Sequence, residues 1–420
     1  MTVSARLLLA GPLMLGVAGA SFTTARLLTP PAPLTAQVVA QGSWVPAPGS
    51  APPVAAPSQG SLGVDVMGLG PTVQLARADA TTVRPTASVA KTITVLVISE
   101  VHPLAAGADG PVITIRAIDV SDYTSIAAAG GSFVPVFLGE RFTERQMLLG
   151  LMLPSANNLA LTLARWVDGS VAAFVARLNA RAAKLGMSRS HFADPDGLDS
   201  ATASTAADLL LLGEAAVAND TVVSVVSTVT ATLPDGTAVH NLDQPLVDDP
   251  GWIGVKTGWT PDAGGCLLFA ARRTLAPGTP ALTVVGVVLG QPPDAAAGGD
   301  HPELGGAFAV ARAAVETAFA GYAAVRVGPG SIPVTGTVTA PWGVSSDLVV
   351  AAGPDRTLLL RLGDSLSLSV DVGEVSAPAA AGTDAASVRV ASGSRVLGTW
   401  RVVTAGPLDE PSASWRLLHA

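Results

Sequence analysis

Arg84-Pro85-Thr86-Ala87-Ser88-Val89-Ala90-Lys91-Thr92-Ile93-Thr94-Val95-Leu96-Val97-Ile98 admits two incompatible readings, and the fold turns on which one holds. As a helix opened by Pro85, the stretch places Ser88 and Lys91 three positions apart on one face, hydroxyl beside amine. Read as a buried strand, which the β-branched run from Thr92 to Ile98 would suit, it sends the two side chains to opposite sides, where they can do no chemistry together. The helical reading also aims free backbone N–H groups at anything bound near Ser88.

Lysine usage favours the helix. Of 24 Lys plus Arg only three are Lys, namely Lys91, Lys184 and Lys256. A chain that writes its surface cations as Arg keeps Lys where a compact amine able to lose its proton is required. Lys184 lies with Arg177 and Arg181 on one polar helical face and reads as solvated. Lys256 opens Lys256-Thr257-Gly258 in an apolar, strand-like run. A third triplet, Ser155-Ala156-Asn157, follows Met152-Leu153-Pro154 at the turn into a helix.

With these three triplets in this chain order, the sequence resembles the low-molecular-mass D-alanyl-D-alanine carboxypeptidases, the penicillin-binding serine peptidases. Further stretches carry the likeness: Arg84 to Lys91 as a whole, Gly139-Glu140, Pro195-Asp196-Gly197-Leu198, Ser204-Thr205-Ala206-Ala207-Asp208, Trp259-Thr260 with Ala263-Gly264, and Val287-Val288-Leu289-Gly290. Two positions depart from the family pattern: Asn158 stands where Asp is common, and Asp194 where Asn often precedes the Pro.

The resemblance implies an α/β (α+β) fold of the β-lactamase/transpeptidase type, an antiparallel sheet flanked by helices with a helical subdomain. It also implies roles. Ser88 is the nucleophile, Lys91 its base, and Ser155 the relay of the proton to departing D-alanine. Asn157 would bind the substrate backbone, and Lys256, Thr257 and Thr260 its terminal carboxylate. The backbone N–H groups of Ser88 and Trp259 would form the oxyanion hole, with Gly258 leaving the channel open. The implied partners are the peptidoglycan stem peptide and, as covalent inhibitors, β-lactam antibiotics. No cofactor or metal is implied.

Residue chemistry agrees independently. A serine hydroxyl needs a base at neutral pH, and Lys91 is the candidate on its face. Its amine must come down roughly three units from about 10.4, which burial and a second nearby cation, Lys256, can supply. No Gly-x-Ser-x-Gly elbow occurs, which disfavours a His-based hydrolase.

Outward from the triplets, a catalytic body is expected over residues 61–324. Strands are expected at 61–69, 252–260, 266–271 and 281–289, and helices at 143–167, 170–185 and 303–322. Short alternating runs over residues 325–420 predict a small C-terminal all-β domain. Residues 29–60 hold eight of the 32 prolines and predict a linker. Ahead of it, the uncharged run 7–25 within residues 1–28 predicts a signal peptide or an N-terminal membrane anchor, hence an extracytoplasmic protein, secreted or held at the outer face of the membrane.

Composition closes off other classes. With 49% hydrophobic and 13% charged residues the chain carries a sizeable core. A net charge of −8 with no basic stripe makes nucleic acid an unlikely partner. Single Cys266 excludes an internal disulfide. Within the same chemistry, a β-lactamase would need a deacylating Glu after the second triplet, and residues 158–213 contain none. A DD-endopeptidase acting on cross-links, and a silent wall-binding scaffold, remain as alternatives.

Overall fold

The computed structural model describes residues 20–40, 42–105 and 107–419. They form two compact units, a body of residues 50–323 and a second unit built from the chain up to residue 49 together with the chain from residue 324 onward.

In the body, five strands form one antiparallel sheet: β1 (Ser61–Met67), β2 (Val73–Ala78), β3 (Trp252–Thr260), β4 (Gly264–Arg273) and β5 (Leu282–Gln291), in the order β3-β4-β5-β1-β2. β1, β4 and β5 are buried on both faces, which is why their sequences are nearly continuous apolar runs instead of alternating ones. β2 was not anticipated. It lies at the sheet edge, and Gln74 and Arg77 within Val73–Ala78 dilute the apolar signal that marks its neighbours.

Between β2 and β3 runs a long helical excursion. It comprises α1 (Lys91–Val101), α2 (Ala117–Ala128), α3 (Glu144–Met152), α4 (Asn157–Asp168), α5 (Val171–Leu185), α6 (Ala206–Val217), α7 (Asp220–Val226) and α8 (Gln244–Asp248); α9 (Pro302–Ala320) follows the sheet. α6 packs on the sheet surface presenting Leu268, Ala270, Val285 and Val287, and α9 also packs on β4 and β5. Helices thus flank an antiparallel sheet, as expected.

The ambiguous segment is helical. Nine successive residues of α1, Lys91 to Ser99, are buried, and α3, α4, α5, α6 and α7 all pack against it. A helix enclosed on all sides has no polar stripe, so its sequence loses the 3.6-residue period. Tertiary packing here outweighs the few tenths of a kcal/mol per residue by which Thr, Ile and Val disfavour helix.

The second unit centres on a seven-stranded sheet, in the order 37–40, 334–339, 345–350, 395–404, 384–392, 366–372 and 43–44, with every pairing antiparallel. Here the structure differs from the linker expected over 29–60. Residues Leu34–Thr35, Gln37–Ala40 and Ser43–Trp44 are strands paired with residues beyond 330. Leu34, Ala36 and Ala47 enter the same core cluster as Val338, Val388 and Trp400. Prolines 30, 31, 33, 46 and 48 fall outside those strands, where a missing N–H costs no ladder bond. Of the expected leader over 1–28, residues 1–19 lie outside the described residues, and 20–28 are helical. Among the described residues no single helix is long and apolar enough to cross a membrane.

Candidate active site

Ser88 lies in a 3-10 turn, Ala87–Ala90, that runs straight into α1 at Lys91. That turn brings its hydroxyl 2.7 Å from Lys91 Nζ. Lys91 is completely buried, yet it is fully engaged: Nζ also donates to Asn157 Oδ1 at 2.7 Å and to the Asp196 carbonyl at 2.8 Å. Burial pushes the amine down to about 8, against the opposing pull of the Asp196 and Asp194 carboxyls. At pH 7 about one molecule in ten then carries it neutral, where a solvated lysine would offer fewer than one in a thousand.

The turn is propped from below. Ala87 adopts φ +47°, unusual for a residue with a side chain, and Gly197 at φ +78° sits directly beneath it. A Cβ on Gly197 would lie 1.9 Å from the Ala87 carbonyl oxygen, so only glycine permits this approach. The loop bearing Gly197 is tied to α1 by the Thr94 hydroxyl, which donates to the Pro195 carbonyl at 2.7 Å. Asp194 organises the loop: its carboxylate accepts from the Gly197 N–H, the Asp199 N–H and the Thr202 hydroxyl. Burial raises its pKa, but these donors and Asp196 hold it below the usual range. Asp196 goes the other way, pushed up to about 7 by burial despite Lys91.

Ser155 lies in the turn between α3 and α4, two residues before Asn157. It is held at φ +66° because hydrogen bonds fix the chain on either side, Leu153 N–H to Leu149 O before it and Ala156 N–H to Gly150 O and Asn157 N–H to Ser132 O after it. Such strain in a residue bearing a Cβ costs on the order of 1–3 kcal/mol and persists only where surroundings impose it. The Ser155 hydroxyl is buried with no hydrogen-bond partner among the described residues. Asn158 is explained by its neighbours. It donates to the Val134 carbonyl and accepts from the Val134 N–H, a two-way pairing that a carboxylate could not complete.

Opposite stands β3, the sheet's edge strand. Lys256 and Thr257 are buried, Lys256 Nζ lies 3.3 Å from Thr257 Oγ1, and Trp259 is exposed. Burial, and then repulsion from Lys91, push Lys256 down to about 7 against the pull of Asp243. A Cβ on Gly258 would come within 2.9 Å of the Ser88 backbone nitrogen and 3.0 Å of that of Val89, so strand and turn meet where a side chain could not fit. Thr260 Oγ1 accepts the Ala263 N–H at 3.1 Å, leaving its own proton free to donate.

The structure therefore gathers Ser88 and Lys91 with Asn157, and sets Lys91 near enough to Lys256 to depress it. Sequence reasoning missed the Asp196 carbonyl as a Lys91 acceptor, since a main-chain contact leaves no trace in residue type. It also missed Asn157 as Lys91's partner, having assigned it to substrate alone, and it gave no attention to Asp243.

The model of the D-alanyl-D-alanine carboxypeptidase family matches residues 72–292, over half the chain and all the residues just described. The chain belongs to that family. A D-alanyl-D-alanine carboxypeptidase of Streptomyces sp. strain K15 is 33% identical over 271 residues, covering 61% of this chain and 88% of the relative. The carboxypeptidase DacB2 of Mycobacterium tuberculosis is 39% identical over 141 residues, 32% of this chain and 48% of the relative. A D-alanyl-D-alanine endopeptidase of Escherichia coli is 30% identical over 215 residues, 48% of this chain and 63% of the relative. Among solved structures, that of the Streptomyces K15 DD-transpeptidase superposes with a TM-score of 0.52 at 30% identity, over 64% of this chain and 100% of that one. The chain thus spans about half the length of some curated relatives and nearly all of another. The family match lies wholly within the body, and the residues from 324 onward fall outside it.

Proposed function

We propose that the chain is a serine D-Ala-D-Ala carboxypeptidase that removes the terminal D-alanine of peptidoglycan stem peptides through an acyl-enzyme on Ser88. The observation that carries this is the 2.7 Å contact between the Ser88 hydroxyl and a buried amine poised at about 8. Neutral Lys91 takes the hydroxyl proton as Ser88 Oγ attacks the penultimate D-alanine carbonyl. The backbone N–H groups of Ser88 and Trp259 receive the developing negative charge. Protonated Lys256, with Thr257 and Thr260, holds the terminal carboxylate. Ser155 passes the proton to the departing amine, after which water hydrolyses the ester. Asn157 orients Lys91 and reaches the substrate backbone. The wall is extracytoplasmic, so the protein acts there, with the uncharged run 7–25 serving as export signal or membrane anchor.

Covalent capture tests the reading. A fluorescent penicillin should label the purified chain at Ser88, and Ser88→Ala should abolish both the label and release of D-alanine from a stem pentapeptide. Labelling that survives Ser88→Ala sinks the proposal. Hydrolysis of a cross-linked dimeric muropeptide in preference to the pentapeptide would favour endopeptidase action, a reading supported by the endopeptidases among the relatives.

The two lysines impose a pH profile. Lys91 must be neutral, so activity rises through about 8; Lys256 must be charged, so binding of the carboxylate fails as pH climbs past about 7. Their repulsion is mutual, and loss of one proton strengthens retention of the other, so the pair titrates jointly. We expect kcat/KM for a pentapeptide to be bell-shaped with a maximum between about pH 7 and 8. A profile still rising at pH 10 would show that no protonated amine is needed.

A further inference from the structure

Asp243 is the residue before α8, where an aspartate ordinarily caps a helix, yet its side chain makes no capping hydrogen bond. It is completely buried, and neither carboxylate oxygen makes a well-formed hydrogen bond with a described residue, although the nearby Leu246 N–H favours its charged form. Its position is nonetheless fixed. The Asn241 side chain accepts the Asp243 N–H at 3.0 Å while donating to the carbonyls of Val226 and Thr228, and the Asp243 carbonyl accepts from the Leu246 and Val247 N–H groups. α8 packs on β3, and α9 packs on both. The charged groups acting on Asp243 from those elements are Lys256 on β3 and Arg312 on α9, and Arg312 is paired with Asp248. The charged groups acting on Lys256 are Lys91 and Asp243.

A buried carboxylate with no well-formed hydrogen bond is costly to retain unless its charge is used. We propose that Asp243 is the counter-charge of Lys256, a positioning residue that keeps the ammonium of β3 ready for a peptide ending in a free carboxylate. The inference rests on the carboxypeptidase reading and names what maintains one of its binding groups. Lys256 and Asp243 both stand at about 7, each displaced from its ordinary value mainly by burial. Near neutrality they hold about one proton between them. An incoming carboxylate beside Lys256 draws that proton to the amine and leaves Asp243 ionised behind it.

With only three lysines in the chain, 13Cε signals of lysine-labelled protein report Lys256 directly, assigned with Lys256→Arg. Asp243→Asn should lower the Lys256 midpoint by about one unit. It should raise KM for a stem pentapeptide about five- to tenfold at pH 7.5 while changing kcat less than twofold, and move the basic limb of kcat/KM to lower pH by the same interval. An unmoved midpoint, or a loss carried by kcat alone, overturns the proposal. Should Asp243→Asn not fold, the unmutated chain decides: the Asp243 13Cγ and Lys256 13Cε titrations must each show an inflection at the other's midpoint, and independent curves refute the pairing. Penicillin capture separates the two readings. An unmutated chain that takes no penicillin at Ser88 removes the carboxypeptidase reading itself, whereas capture with an unaltered Asp243→Asn removes only the role of Asp243.

Discussion

Lys91→Met should cut the rate of penicillin acylation and of pentapeptide turnover by about a thousandfold or more while leaving a folded protein. The methionine fills the volume of a side chain that is wholly enclosed, so the change removes the amine and little else. Ser88 then loses its only base, and general base catalysis by a positioned group is worth typically 10²–10⁴. Stability is set by opposing effects. Three acceptors, Ser88 Oγ, Asn157 Oδ1 and the Asp196 carbonyl, lose their donor at about 1–3 kcal/mol for each that water cannot reach. Against this, an amine forced down to about 8 by burial is replaced by an apolar group that suits the site, a change that elsewhere is often neutral or stabilising. Thermal unfolding should therefore move by only a few degrees. Acylation within tenfold of the unmutated rate would show that another group deprotonates Ser88.

Gly197→Ala should lower the melting temperature of the body by at least about 4–8 °C and slow acylation with it. The added methyl meets the Ala87 carbonyl oxygen at 1.9 Å, backbone against backbone, so no rotamer change relieves it. Either the loop 194–199 withdraws, taking the Asp196 carbonyl from Lys91, or the turn that carries Ser88 shifts. A positive φ alone costs a residue with a side chain roughly 1 kcal/mol, and the collision adds at least as much again; each kcal/mol moves a unit of this size by about 2–4 °C. Gly139→Ala is the control, since Gly139 has φ +82° but nothing within 4 Å of the would-be Cβ. Differential scanning calorimetry of the two variants isolates the contact: equal losses would mean that backbone strain, and not support of the Ser88 turn, explains Gly197.

What could be read from the sequence was chiefly what chemistry dictates. Ser88, Lys91, Ser155, Asn157 and Lys256 stood out because the acyl transfer that the resemblance implies tolerates few substitutes, and because lysines are rare against a background of arginine. The central strands were legible because burial on both faces demands unbroken apolar runs. Information was lost wherever context overrules local preference. α1 is β-branched through Ile98 and still helical, since its surroundings bury every side. The strands at 34–44 were concealed within a proline-rich window whose average composition hid Gln37–Ala40. Asp243 and the Asp196 carbonyl gave no signal, because a counter-charge and a main-chain acceptor are defined by where the fold puts them.

The stretch at 34–44 bears on how the chain becomes a protein. Its strands are made before the body, but their hydrogen-bonding partners, residues 334–339, 366–372 and 374–375, emerge some three hundred residues later. During that interval the early segment is an orphan edge, and the body between can fold long before its flanks do. The sheet cannot be completed until the hairpin of 384–404 has been made, and a nascent chain stalled before that point would carry a folded body between unmatched strands.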